Sequence, residues 1–470
     1  MLRHVARIFR SDFSSWLPII VVVALVSTLI GVCLNQFVWT TTEAFVAAAT
    51  GAGVDPAEFG TVSLTIYVLV ALLTLVSLTI VGAATVEHTR GTFAQWRLVG
   101  ASPRQVRGSL WALVGIASAL GALPGSLLSI GLSYVAVPLF NQMAALSFPA
   151  GTAQFDPPHF VPSLLAWVGA LVVAVGTCFL GATGPARRAA GVEPLEAVRD
   201  SNPSRRMLRW PRLLIGLALI VCAAVVGGGV AVDIATGDLG TRAGAAVNSA
   251  IIVGLLTALA GYAIAPMAMG AFLDGGRVAL GWSPVGRLAA RAAHARVDRN
   301  ANMIAPLAAA IGTAAMLFTV LRTYERLVAA AGYELDNPNY VDTAVMTGLF
   351  AGVALLTSVA VISLSGRDAG RDQAVLRAAG LAPRQVTTML VLQNGLLALC
   401  TGGLALIPVA CASLVMSVGS VRLVGAPILV VPGIELGAAV VVCWAVLFAG
   451  QRLSIAPWLA RDVAFSLRAT

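Results

Sequence analysis

Ten stretches of about 20 apolar residues run through this chain, and they restrict the possible folds more than any other feature. In hydrocarbon a backbone must satisfy its own N–H and C=O groups, which a helix of about 20 residues does within one segment. The windows fall at 17–39, 62–85, 109–137, 163–183, 213–232, 248–271, 302–321, 343–365, 387–415 and 433–450. The expected fold is therefore an all-α, polytopic membrane protein with about ten transmembrane helices. Composition agrees, since 58% hydrophobic and only 11% charged residues leave too little polar surface to face water on all sides. Arg3, Arg7 and Arg10 precede the first window, as in a signal peptide. That window is too long for a signal h-region and ends in Asn35, Gln36 and Trp39, so a retained helix is expected.

Arginine sets the orientation. The sequence has no lysine, and all 30 of its basic residues are arginines. With the N-terminus inside and ten spans, only Arg242, Arg322, Arg326 and Arg422 fall on the outer side, the asymmetry that cytoplasmic loops show. Both termini are thus expected in the cytoplasm. Topology and anionic lipid headgroups account for the net charge of +9, so no nucleic-acid partner is called for. Cys33, Cys178, Cys222, Cys400, Cys411 and Cys443 stand singly in apolar windows, without metal-ligand spacing. The arginine-for-lysine usage and the richness in Ala, Gly and Val point to a bacterial, high-GC source.

The chain also repeats itself. Trp96-Arg-Leu-Val-Gly-Ala-Ser-Pro-Arg-Gln-Val106 returns 280 residues later as Leu376-Arg-Ala-Ala-Gly-Leu-Ala-Pro-Arg-Gln-Val386. The identical pairs are Arg97 and Arg377, Gly100 and Gly380, Pro103 and Pro383, Arg104 and Arg384, Gln105 and Gln385, and Val106 and Val386. Each copy follows a basic amphipathic prelude, at residues 2–16 and 283–300, and sits between the second and third spans of a four-span set. The expected organisation is an amphipathic helix at 1–16, a first repeat at 17–200, a two-span linker at 201–282, and a second amphipathic helix with its repeat at 283–470. An even number of linking spans makes the two copies parallel. Each motif reads as a short helix, a turn at the glycine and a new helix at the proline, whose missing N–H suits a first turn. Ser102 is placed to cap it. The product is a stiff elbow carrying Arg97, Arg104 and Arg107, with a twin carrying Arg371, Arg377 and Arg384.

The run Arg97–Val106, the glycines Gly115, Gly121, Gly125 and Gly131 in the next span, and the closing segment Gly184–Arg199 resemble the FtsX-like permease family of ABC transporters, of the mechanotransmission type. The resemblance implies a permease without catalytic or cofactor-binding residues, whose elbows dock two copies of a cytoplasmic ABC ATPase that binds the ATP. It makes Arg97, Gly100, Pro103, Arg104, Gln105, Arg377, Gly380, Pro383, Arg384 and Gln385 the ATPase-coupling residues. It also implies export or extraction of an amphipathic or hydrophobic substrate, such as a lipid, lipopeptide, antimicrobial peptide or drug. Family members carry a large extracytoplasmic domain, whereas the outer loops expected here, at 41–61, 138–162, 322–342 and 416–432, are each too short for a core of their own.

Other classes meet specific obstacles. A P-loop needs a lysine, so ATP must be hydrolysed on another chain. An ion-coupled secondary transporter usually carries an ionisable group at membrane depth, and the ten windows hold none away from their ends, Glu435 lying at an outer boundary. His4, His88, His159 and His294 are scattered, and no HExxH or Ser/His arrangement appears. Within the family, regulation of an envelope protein without transport is the alternative to export, and an ion-coupled secondary transporter, using backbone carbonyls and hydroxyls for sodium, is the alternative from another class. The Gly121/Gly125 pair reads as close helix packing, Pro124 and Pro408 as kinks. Asn35, Gln36, Gln393 and Asn394 either line a path or join neighbouring helices.

Overall fold

The computed structural model describes residues 7, 9–10, 13–51, 78, 96, 98, 100–146, 158–191, 209–233, 239–330, 332, 348, 351–359, 361–362, 373 and 375–459. Among these it is mostly helical, with short turns and connections such as 158–163 and 425–432, and no strand. The helices are α1 (Phe13–Thr40), α2 (Glu43–Gly51), α3 (Pro103–Leu146), α4 (Leu164–Gly191), α5 (Arg209–Asp233), α6 (Leu239–Ala279), α7 (Pro284–Ala295), α8 (Val297–Ala330), α9 (Pro383–Val424) and α10 (Gly433–Leu459). Seven of them are long and apolar enough to cross a membrane, and the apolar stretch Leu213–Gly229 in α5 is shorter. The expected second span, 62–85, lies outside the described residues except for Leu78, and only part of the eighth, 343–365, falls within them. The all-α polytopic class is as the sequence predicted.

The helices overrun the apolar windows. The third window, 109–137, lies within a 44-residue helix, the ninth within one of 42, the sixth within one of 41 and the seventh within one of 34. At 1.5 Å per residue α3 is about 66 Å long, roughly twice a hydrocarbon core. Hydropathy reports where a helix meets lipid, whereas its ends are set by caps and turns. The segments expected as outer loops are therefore partly helical: α3 continues to Leu146, α8 to Ala330 and α9 to Val424, and α2 occupies the first outer connection. Pro124 and Pro138 lie inside α3 and Pro408 inside α9, each within an unbroken helical run.

Two compact units divide the chain, Met1–Asn202 and Pro203–Thr470. In the first, α1 packs along α3, and α4 closes on both. The seam between α1 and α3 is made by small residues. A Cβ on Gly121 would lie 2.6 Å from the Ile20 carbonyl oxygen, and one on Gly125 would lie 2.8 Å from the Ala24 carbonyl carbon. The expected close packing at this pair is present, and it brings hydrogen bonds within reach. Thr28 donates to the Gly125 carbonyl (3.0 Å) and Ser27 to the Ala122 carbonyl (3.2 Å). Further along, the Asn35 amide donates to Ser133 (3.1 Å) and accepts from the Ser163 backbone N–H (3.0 Å). Asn35 thus joins helices rather than lining a path. Buried polar groups find partners this way because lipid offers none.

In the second unit α6, α8 and α9 share a core of Ala250, Ala315, Met316, Val320, Val409, Ala412 and Met416. The two helices read as a linker belong to this unit: α6 packs on α5, α8 and α9. Helix α7 matches the second amphipathic prelude. Ser283 caps it by accepting from the Gly286 N–H (2.8 Å), Gly286, Ala289, Ala290 and Ala293 are buried, and Arg287 and Arg291 are exposed. Its small-residue face lies against α9 and α6. Of the first prelude, residues up to 12 are outside the description apart from Arg7, Phe9 and Arg10; Phe9 is buried near Trp16, with ring centroids 5.5 Å apart.

Candidate functional site: two matching elbows

Gly100 and Gly380 have φ of +100° and +95°, the left-handed region that favours glycine. Each ends a short helix in the same way. The N–H one residue after the glycine donates to the carbonyl five positions back, Ala101 to Trp96 (2.9 Å) and Leu381 to Leu376 (3.2 Å). In the second copy the Gly380 N–H also donates to the Arg377 carbonyl (3.0 Å), completing a Schellman turn. Pro103 and Pro383 then occupy the first position of α3 and α9.

The glutamines are caps. Gln105 Oε1 accepts from the Ser102 N–H (2.9 Å) while Ser102 Oγ accepts from the Gln105 N–H (3.3 Å), a reciprocal capping box. In the second copy Gln385 Oε1 accepts from the Ala382 N–H (3.0 Å). Alanine has no side-chain acceptor, so only that half of the box remains. Val106 and Val386, one helical turn in, are buried and fix the new helix against its unit. Gly, Pro, Gln and Val are thus the parts of a rigid helix–turn–helix corner, built twice.

The side chains of Arg104 and Arg384 have no part in that construction. Arg104 and Arg384 are exposed on the first turn of their helices, and Arg107, at the start of the second turn of α3, is exposed too. Arg377 is half-buried, and Arg97 and Arg371 lie outside the described residues. A cation at a helix N-terminus opposes the helix dipole, so neither Arg104 nor Arg384 is placed there to stabilise its own helix. The second elbow gathers more positive charge, since Arg452 of α10 donates to Thr387 Oγ1 (3.3 Å).

Two polar features join other helices. Asn394 donates to the Leu390 carbonyl (2.9 Å) and to Gln451 Oε1 (3.1 Å), tying α9 to α10. At the opposite end of α10, Glu435 meets Arg322 of α8 at 2.6 Å, both about a third exposed. Gln393 does not share this role: it lines a cavity of about 540 Å³ behind the second elbow. Sequence reasoning did not find this cavity. The signal available was the repeat itself, in which Gln393 stands where the first copy has the buried Leu113.

Long apolar helices around small-residue seams, with paired capped elbows, define an all-α polytopic membrane protein. Residues 64–194, most of the first repeat, match the family model described as FtsX-like permease C-terminal. That likeness and the long apolar helices together support a multi-pass membrane protein of permease type. No curated protein matches the sequence.

Proposed function

We propose that the chain is the permease subunit of an ABC transporter that uses its two elbows to receive two separate cytoplasmic ATPase chains. The observation that carries this reading is the duplicated exposed arginine, Arg104 and Arg384, on corners whose repeated glycine, proline, glutamine and valine are consumed in shaping the corner. A rigid corner transmits force because its Schellman turn, proline start and glutamine cap leave the two helices little freedom to hinge. ATP-driven closure of the ATPase pair would then tilt α3 and α9 along their whole length. With short outer connections, the substrate is an amphipathic molecule taken from the bilayer, and the work is its export or extraction. The two termini and the elbows face the cytoplasm in this reading, in line with the arginine asymmetry.

The test is ATP hydrolysis in nanodiscs, with the chain co-expressed with the ATPase encoded beside its gene. The wild-type complex is expected to hydrolyse ATP faster than the ATPase alone, and Arg104→Glu/Arg384→Glu to lose that stimulation. A double variant that behaves as wild type refutes the assignment of the elbows.

A further inference from the structure

The half-open cavity of about 540 Å³ in the second unit is bordered by α7, the start of α8, residues 361–362, the short helix before Gly380, the start of α9 and the end of α10. Its volume is in the range of sites that hold small organic ligands. The lining divides by chemistry. Met303, Val361, Ile362, Met389 and Leu390 form an apolar wall, while Arg291, Arg296, Gln393 and Gln451 supply polar groups. The guanidinium of Arg291 and the amide of Gln393 have no partner among the described residues. Gln373, also in the wall and 6% exposed, keeps an amide oxygen with no hydrogen-bond partner.

Position narrows the ligand further. The cavity stands at the arginine-rich end of the unit, where the apolar windows 343–365, 387–415 and 433–450 begin or finish. That is the depth at which lipid headgroups give way to chains. A cationic side chain without a partner beside an apolar wall at that depth complements a molecule with an anionic head and a hydrocarbon chain. The first copy sharpens the point. Over the first turns of α3 and α9 the repeat keeps Val106 as Val386 and Leu110 as Leu390, but replaces Ser109 by Met389 and Leu113 by Gln393. Both replacements line the cavity, one in its apolar wall and the other among its polar groups.

We propose that this cavity is a binding site for an anionic phospholipid of the inner leaflet, its phosphate held by Arg291 and Gln393 and the upper part of its chain along Met303, Val361, Ile362 and Met389. Val375, Leu376 and Val386 of the wall belong to the elbow itself, so the bound lipid stiffens the corner around Gly380. The inference deepens the transporter reading by giving a bilayer amphiphile a place at one elbow, but binding needs no ATPase and is measured on the permease chain alone.

Phosphatidylglycerol and phosphatidylcholine are titrated separately into the delipidated full chain in detergent, and retained lipid is counted by native mass spectrometry. Tight retention of one phosphatidylglycerol is expected, with phosphatidylcholine held about tenfold more weakly, and with Gln393→Leu or Arg291→Gln weakening phosphatidylglycerol about tenfold. Gln393→Leu installs the residue of the first copy and is expected to fold. A phosphatidylglycerol with a photoreactive chain, applied to the wild-type chain, should label the peptides containing Met303 or Met389 without any variant. Equal retention of the two lipids, variants indistinguishable from wild type, or labels confined to other helices would overturn the proposal and leave a water-filled cavity.

Discussion

The seam between α1 and α3 offers a demanding test because the clash there is with backbone. A Cβ at Gly125 would sit 2.8 Å from both the carbonyl carbon and the Cα of Ala24. Ordinary carbon contacts are about 3.5–4.0 Å, so α1 and α3 would have to part by nearly 1 Å, and no rotamer change can relieve it. Overpacking of this kind costs about 1–3 kcal/mol. Separation would also stretch the Thr28 and Ser27 bonds to the Gly125 and Ala122 carbonyls, each worth about 0.6 kcal/mol in a membrane protein. Gly125→Ala is therefore expected to destabilise the chain by about 2–4 kcal/mol. Gly131 lies six residues further along the same helix, and a Cβ there meets open space. Gly131→Ala should be neutral or stabilising by up to about 1 kcal/mol through helix propensity. The assay is the unfolding midpoint of the two variants in mixed micelles against increasing denaturing detergent. If both variants unfold together with wild type, the seam is not held by backbone-to-backbone contact and the packing argument is wrong.

Three further outcomes follow from the same geometry. Ala382→Ser should supply the missing half of the second capping box and raise stability by about 0.5–1 kcal/mol, read as a higher unfolding midpoint, whereas the same change is already present at Ser102 in the first copy. Gly380→Ala places a Cβ on a backbone with φ of +95° and should destabilise by about 1–2 kcal/mol, lowering the midpoint and, in the assembled transporter, the stimulation of ATP hydrolysis. Arg322→Ala breaks the pair with Glu435; both groups are partly exposed, so the loss should stay below about 1 kcal/mol and shrink as salt is raised.

Much of this fold could be read from the sequence because membrane helices announce themselves by apolar length. The ends of the helices could not, since α3 and α9 continue through residues such as Asn141, Gln142 and Arg422 that no hydropathy window includes. The elbows were legible to the residue. Glycine, proline and glutamine each have a specific backbone task in a corner, and finding them twice at one spacing reveals the corner. The cavity behind the second elbow was hidden for the converse reason. It is assembled from α7, α8, α9 and α10, and no spacing along the chain brings Arg291 and Gln393 together. The polar residues of the spans also looked alike in sequence, yet Asn35 and Asn394 join helices while Gln393 faces open volume.

The central claim is that the two elbows are equivalent docking points, one for each ATPase chain. Native mass spectrometry of the nucleotide-free complex counts those chains directly. The account predicts two ATPase chains on the wild-type permease, one on Arg104→Glu and one on Arg384→Glu, and none on the double variant. Two chains retained on the double variant, or both lost from either single variant, would contradict it.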